Sequence, residues 1–172
     1  YARAAAAVMG RAMDDSIIAA ATGSALTGKT GGTATALTQT IANGSADMTV
    51  AKLITAKKKL DDGSVDPSIP RHIVVGPDQI EALLGTTSVT SSDFNTVKAL
   101  VQGEIDTFMG FKFHTSTRLS KAGNIRKCFA FAEDGIKLAV GKDVTQIFYC
   151  ASFGAVRMEE AKVVSIDCDE SA

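Results

Sequence analysis

The sequence predicts an α+β fold. Apolar residues recur with helical spacing up to Gly103, and from Ile105 onward they alternate with period two. Helices therefore dominate the first part and strands the last, where a regular alternation would have marked a parallel βαβ sheet.

Each element has its own local reason. The first helix spans residues 3–21, an alanine-rich stretch with Val8, Met9, Met13, Ile17 and Ile18 on a helical stripe. Arg11 and Asp15 stand one turn apart on its polar side and are placed to pair. Residues 22–46 are rich in Gly, Thr and Ala and read as a low-complexity loop or weak hairpin. Asp47 is placed as the cap of the next helix, whose Val50, Leu53, Ile54 and Leu60 share one face. Lys57, Lys58 and Lys59 fall in its last turn, on a solvated face, and Asp61-Asp62-Gly63 ends it. A turn-rich loop leads to the short buried strand Arg71-His72-Ile73-Val74-Val75, stopped by Gly76-Pro77. Pro77 then opens a helix over residues 78–84, closed by Gly85. Ser92 caps a further helix that carries Phe94, Val97, Leu100 and Val101 and ends at Gly103. The strands that follow are built on Phe111 and Phe113, then on residues 128–132, 136–140 and 144–150. A last long strand covers residues 156–168, with Val164, Ile166 and Cys168 facing one way and Ser165 and Asp167 the other.

Composition narrows the function classes. The chain has 172 residues, enough for one domain or two small lobes, and its 45% hydrophobic content is ordinary for a protein with a packed core. A net charge of −1 gives no electrostatic footprint for sequence-specific nucleic-acid binding or for an anionic membrane. No apolar run reaches the roughly 18 residues of a membrane span. Cys128, Cys150 and Cys168 are odd in number and widely spaced, which fits buried reduced thiols in a reducing cytoplasm. The chain starts at Tyr1 inside a helix-like pattern without an initiator methionine, and we read it as part of a longer polypeptide.

One motif points to an enzyme. Gly23 to Thr30 (GSALTGKT) matches the phosphate-loop pattern G-x-x-x-x-G-K-[ST], in which Lys29 would hold a nucleotide phosphate. Such a loop needs a strand entering it and a helix leaving it, so that helix-terminal amides meet the phosphates. Here a predicted helix enters, and Gly31-Gly32 with alternating threonines leaves. The expectation is a flexible connection.

Nothing else assembles into a catalytic, cofactor or metal site. His72 and His114 fall in no metal-binding motif, and no G-x-S-x-G elbow marks a nucleophile. The neighbouring carboxylates (Asp14 with Asp15, Asp61 with Asp62, Glu159 with Glu160, and Asp167 with Asp169 and Glu170) are expected on solvated surfaces, turns or a terminal tail.

Taken in order, several segments carry a resemblance. They are Gly10-Arg11-Ala12-Met13-Asp14, Met48 to Leu53 with Leu60-Asp61, Pro70 to Pro77 with Leu83-Leu84, and above all Val97 to Ile105 running through Phe108-Met109-Gly110-Phe111-Lys112-Phe113 to Ser116-Thr117-Arg118-Leu119. Gly135 to Asp143 and Val156-Arg157-Met158 follow. Together they resemble the carboxy-terminal part of a tailed-bacteriophage major capsid protein. The resemblance implies a long spine helix and connecting loop (residues 1–46) and a return strand (151–172) forming a peripheral domain, with an axial domain (47–150) inserted between them. It implies no enzyme, cofactor or membrane. It implies a virion component, made in the bacterial host cytoplasm, that self-assembles through pentamers and hexamers into an icosahedral shell around double-stranded DNA. Scaffolding and portal proteins and non-specific contact with packaged DNA are the implied partners. The family's amino-terminal arm and extended loop have no counterpart in the sequence. The alternatives are an encapsulin-like nanocompartment shell, a phage tail or decoration protein and, in another class, a nucleotide-binding enzyme using Gly23 to Thr30.

Overall fold

A computed structural model of the chain describes residues 2–27, 31–85, 107–140, 144–145, 149–150 and 153–171. Helix α1 (Ala2–Thr22) leads into a small antiparallel hairpin, β1 (Ala25–Thr27) with β2 (Thr33–Thr35), and then β3 (Thr40–Ile41). Helix α2 (Val50–Asp62), strand β4 (Arg71–Val75) and helix α3 (Pro77–Gly85) follow. Strands β5 (Thr107–Phe108), β6 (Phe111–Thr115), β7 (Lys121–Ala122), β8 (Ile125–Ala132) and β9 (Ile136–Val140) come next. Beyond them lie β10 (Val144–Thr145), β11 (Tyr149–Cys150), β12 (Phe153–Arg157), a 3-10 turn (Glu160–Lys162) and β13 (Val163–Asp169). The predicted helix from Ser92 to Gly103 lies outside the described residues.

A mixed seven-stranded sheet runs in the order β3-β13-β8-β4-β6-β5, with β7 paired to β8. Alternate residues of its central strands face opposite sides, and helices cover both. Arg71, Ile73 and Val75 lie on the α2 side, as the Arg71–Asp61 ion pair at 2.6 Å shows. There Leu53, Ala56 and Leu60 of α2 and Leu83 of α3 join Cys128, Ala130, Val164, Ile166 and Phe111 in one core. On the opposite side Ile18 and Ala21 of α1 belong to the same buried cluster as Phe129 and Val163. Ser165, although polar, is buried beneath that layer, and its amide donates to the Gln39 carbonyl. A second, two-stranded sheet of β9 and β12 packs against α1.

Several expectations are corrected. The cap of α2 is Thr49, not Asp47: Thr49 has extended backbone angles and its hydroxyl accepts from the Lys52 amide. Asp47 instead accepts from the Met48 amide and from Gln79. Only Lys59 lies in the last turn of α2, because the helix continues to Asp62. The Gly/Thr stretch forms the weak hairpin but also supplies β3, which adds to the edge of the main sheet in parallel with β13. Residues 144–150 are not one strand but two short antiparallel ones, β10 and β11. The strand predicted over 156–168 is broken into β12 and β13 by the turn at Glu160–Lys162. That turn is seated closely: a side chain at Gly63 would come within 3.0 Å of Ala161, and one at Gly135 within 3.0 Å of Lys162. Lys162 is held there by Asp134 and Glu159. Arg11 does not pair with Asp15, whose carboxylate is taken by Arg118 across the chain.

The carboxylate group expected on a solvated tail is also corrected. The Glu170 side chain is only 9% exposed and receives Arg126, Lys121 and Gln79. This ties the end of β13 to β7, β8 and α3. Buried Lys52 does similar work between α2 and β13, donating to the carbonyls of Ala46 at 2.7 Å and Asp167 at 2.8 Å.

Two outcomes test this packing. Leu53→Ala, at a fully buried position, is expected to destabilise the fold by about 3 kcal/mol in denaturant titration. The Arg126 guanidinium, with Lys121 and Gln79, lowers the Glu170 carboxyl from 4.5 to about 2. A folded-state value below the unfolded one means that its stabilisation is full above about pH 4.5 and is lost as pH falls towards about 2. Glu170→Gln should therefore cost about 2 kcal/mol at neutral pH, and urea titrations should show the difference from wild type shrinking through that acid window.

Candidate functional site

The Gly23 to Thr30 motif is framed as a connection. The Gly23 amide donates to the Ala19 carbonyl at 2.9 Å, so the first glycine of the motif closes α1. A helix thus precedes it, β1 lies within it, and β2, not a helix, follows it. Gly28, Lys29 and Thr30 themselves lie outside the described residues. The strand-then-helix frame that aims amides at a phosphate is not what these flanks provide.

The hairpin is held by a side chain that the motif reading overlooked. Arg157, buried at the end of β12, donates to the carbonyls of Gly23 at 3.1 Å and Thr35 at 3.5 Å. On the far side of the loop, the backbone amide and hydroxyl of Thr38 donate to Glu160, which lowers that carboxyl from its ordinary value. Both anchors join residues more than a hundred positions apart in sequence, so local patterning carries no trace of them.

Exposed apolar surface is concentrated at this end of the molecule. Val8 on α1, Leu26 on β1, Leu138 and Val140 on β9, Val156 on β12 and Met158 just beyond it are all at least one third exposed, while Ile54 stands apart on α2. A groove of about 330 Å³ runs between α1, β1 and β12, with small residues Ser16, Ala19 and Ala20 on its floor and Leu26 and Val156 at its rim. Scattered exposed apolar residues are normal, but a concentration of them on one region marks a contact surface. Among the described residues β9 and β12 form a two-stranded sheet, and each has one edge without a strand partner there.

The histidines are brought together. His72 on β4 and His114 on the adjacent β6 place Nδ1 and Nε2 3.0 Å apart, and His72 stacks on Phe131. Burial, then the neighbouring His114, pushes the His72 imidazole below its ordinary value. The thiols of Cys128 and Cys168 are free and buried, as expected, and their mutual hydrogen bond with burial pushes Cys128 well up. The Cys150 side chain lies outside the described residues. Among the described residues no three His, Cys, Asp or Glu side chains converge on one point, and no helix is long and apolar enough to cross a membrane.

Removal of the Arg157 anchor offers a direct test of the connection. Arg157→Ala should leave the seven-stranded sheet folded while amide hydrogen exchange at residues 23–27 and 33–36 rises to that of an unanchored loop.

The family model for phage capsid protein matches residues 1–170. No curated protein matches. Among solved structures, a chain from Mycobacterium phage Che8 superposes with a TM-score of 0.59 at 18% identity, over 96% of this chain and 62% of its own length. A chain of the holo-SrpI encapsulin complex from Synechococcus elongatus PCC 7942 does so with a TM-score of 0.56 at 11% identity, over 99% of this chain and 65% of its own. The chain thus spans less than two thirds of the length of either structure. At these identities the likeness establishes a shared fold, which accommodates the helix α1, the seven-stranded sheet and the outlying β9–β12 pair together. With the family model matched over nearly every residue, the chain belongs to the phage capsid protein family.

Proposed function

We propose that the chain is the structural part of a capsid subunit that assembles with copies of itself into an icosahedral shell around double-stranded DNA, as a component of a virion formed in the bacterial cytoplasm. The observation that carries this reading is the family match over residues 1–170. The surface agrees with it: the apolar side chains of α1, β1, β9 and β12 need a partner, and a near-zero net charge lets identical subunits approach without strong repulsion. In this reading α1 and the β9–β12 pair belong to a peripheral lobe, residues 1–46 with 151–172 at its centre. Residues 47–150 supply most of an axial lobe, which β13 joins through the main sheet. Scaffolding and portal proteins are the further partners, and DNA is met through salt-sensitive phosphate contacts without sequence preference.

A second reading, an encapsulin-like compartment that holds protein cargo, is favoured by the likeness to the chain of the encapsulin complex. The contents of purified particles distinguish the two: DNA supports the virion, a co-purifying enzyme the compartment.

Assembly itself is tested at the apolar end. Val156→Glu combined with Met158→Glu should change stability by only about 0.5 kcal/mol, since both side chains are at least half exposed. In sedimentation velocity and electron microscopy the variant should remain as small species where wild type forms closed shells. Shells from the variant, or a wild type that never associates, would count against the proposal.

A further inference from the structure

The histidine pair belongs to the main sheet, and none of the exposed apolar side chains invoked for assembly lines its cleft. β4 and β6 are parallel neighbours inside the main sheet, so the backbones beneath both rings are fixed by the ladder. Registry places His72 opposite Lys112 and His114 opposite Val74, so the two imidazoles reach diagonally towards each other on one face. They meet through different ring atoms, Nδ1 of His72 and Nε2 of His114, in a hydrogen bond of 3.0 Å whose proton a bound ion would replace. Two imidazole nitrogens bound to one ion at about 2.0–2.1 Å stand about 2.9 Å apart at a right angle and about 3.3 Å apart in a tetrahedron. The observed spacing falls within that range.

The surroundings provide room and access. His114 is exposed, and it lines a cleft of about 220 Å³ together with Asp14, Ile17 and Ile18 of α1. Because no third His, Cys, Asp or Glu side chain among those described converges on the pair, the other positions around an ion would be filled by water, with Asp14 facing it through that water. Glu133 adds negative potential near His72, while Lys112 beside the pair and Arg118 beside Asp14 oppose it. Imidazole donors in that setting select nickel, copper or zinc over magnesium or calcium.

We propose that His72 and His114 form a binding site for a divalent transition-metal ion, held by their Nδ1 and Nε2 atoms and open to water in the cleft beside α1. A bound ion would clamp β4 to β6 and draw the surface of α1 towards the sheet through Asp14.

The test is calorimetric titration of Ni²⁺ into the metal-stripped protein, with thermal unfolding measured alongside. Wild type should bind one Ni²⁺ per chain at micromolar concentrations and melt at a higher temperature when it is bound. His114→Gln replaces an exposed side chain, so its fold is checked by an unchanged circular dichroism spectrum. It should weaken the binding by about tenfold or more and abolish the thermal shift. Magnesium should produce neither effect in wild type. The proposal is overturned if His114→Gln binds Ni²⁺ as tightly as wild type, which would place the ion on the thiols, or if wild type fails to bind at millimolar Ni²⁺.

Discussion

The architecture depends on a sheet that must be covered on both faces at once. β13, β8 and β4 carry buried side chains on alternate sides, and neither side can be left to water without exposing Phe129 and Val163 or Ile73 and Ile166. The chain meets this demand from distant parts of the sequence, α1 on one face and α2 with α3 on the other. Burial of polar groups follows from the same demand. Lys52 lies where the layers are sealed, and its ammonium finds main-chain partners because an unmet buried donor would cost more than the layer gains from closing over it.

Most of the scaffold was legible in the sequence because its signals are local. The alanine-rich stripe of α1, the β-branched run at Arg71–Val75 and the Pro77 to Gly85 helix each carry their own boundaries. What remained hidden depends on tertiary contacts. The alternation read over residues 156–168 fails at Glu160 and Lys162, charged residues on its apolar parity, and there the turn is seated closely on Gly63 and Gly135. The acidic tail looks solvated until Arg126 and Lys121 are seen folded against Glu170. The choice of Thr49 over Asp47 as the cap rests on which residue turns extended, and the two have similar intrinsic preferences. Less of the candidate site was legible. His72 and His114 are 42 positions apart and match no spacing rule, so only strand pairing could unite them. The apolar surface patch is invisible to periodicity, because Val156 and Leu138 continue the same alternation that builds the core.

Polar and apolar surfaces are thus divided between two ends of the molecule. Around the main sheet, charged side chains are consumed internally: Asp61 by Arg71, Glu170 by Arg126 and Lys121, Asp134 by Lys162. Around α1 and the β9–β12 pair, apolar groups stand uncovered. The turn at Glu160–Lys162 joins the two regions, and its tight seat fixes the direction in which β12 leaves the sheet. For a family whose members build shells from repeated subunits, that fixed direction is a geometric property of the subunit itself, set before any neighbour arrives.

The order of strands has a consequence for how the chain is made. β13 occupies the interior of the main sheet, between β3 and β8, yet it follows both of them in sequence. During synthesis β3, β4, β6 and β8 therefore emerge from the ribosome well before the strand that belongs among them. Until residues 163–169 have cleared the exit tunnel, β8 presents an open edge and Phe129 an uncovered face, which is the condition in which nascent chains associate wrongly or recruit chaperones. A polypeptide interrupted before Val163 would lack an interior strand rather than an edge, and would be an incomplete and adhesive species.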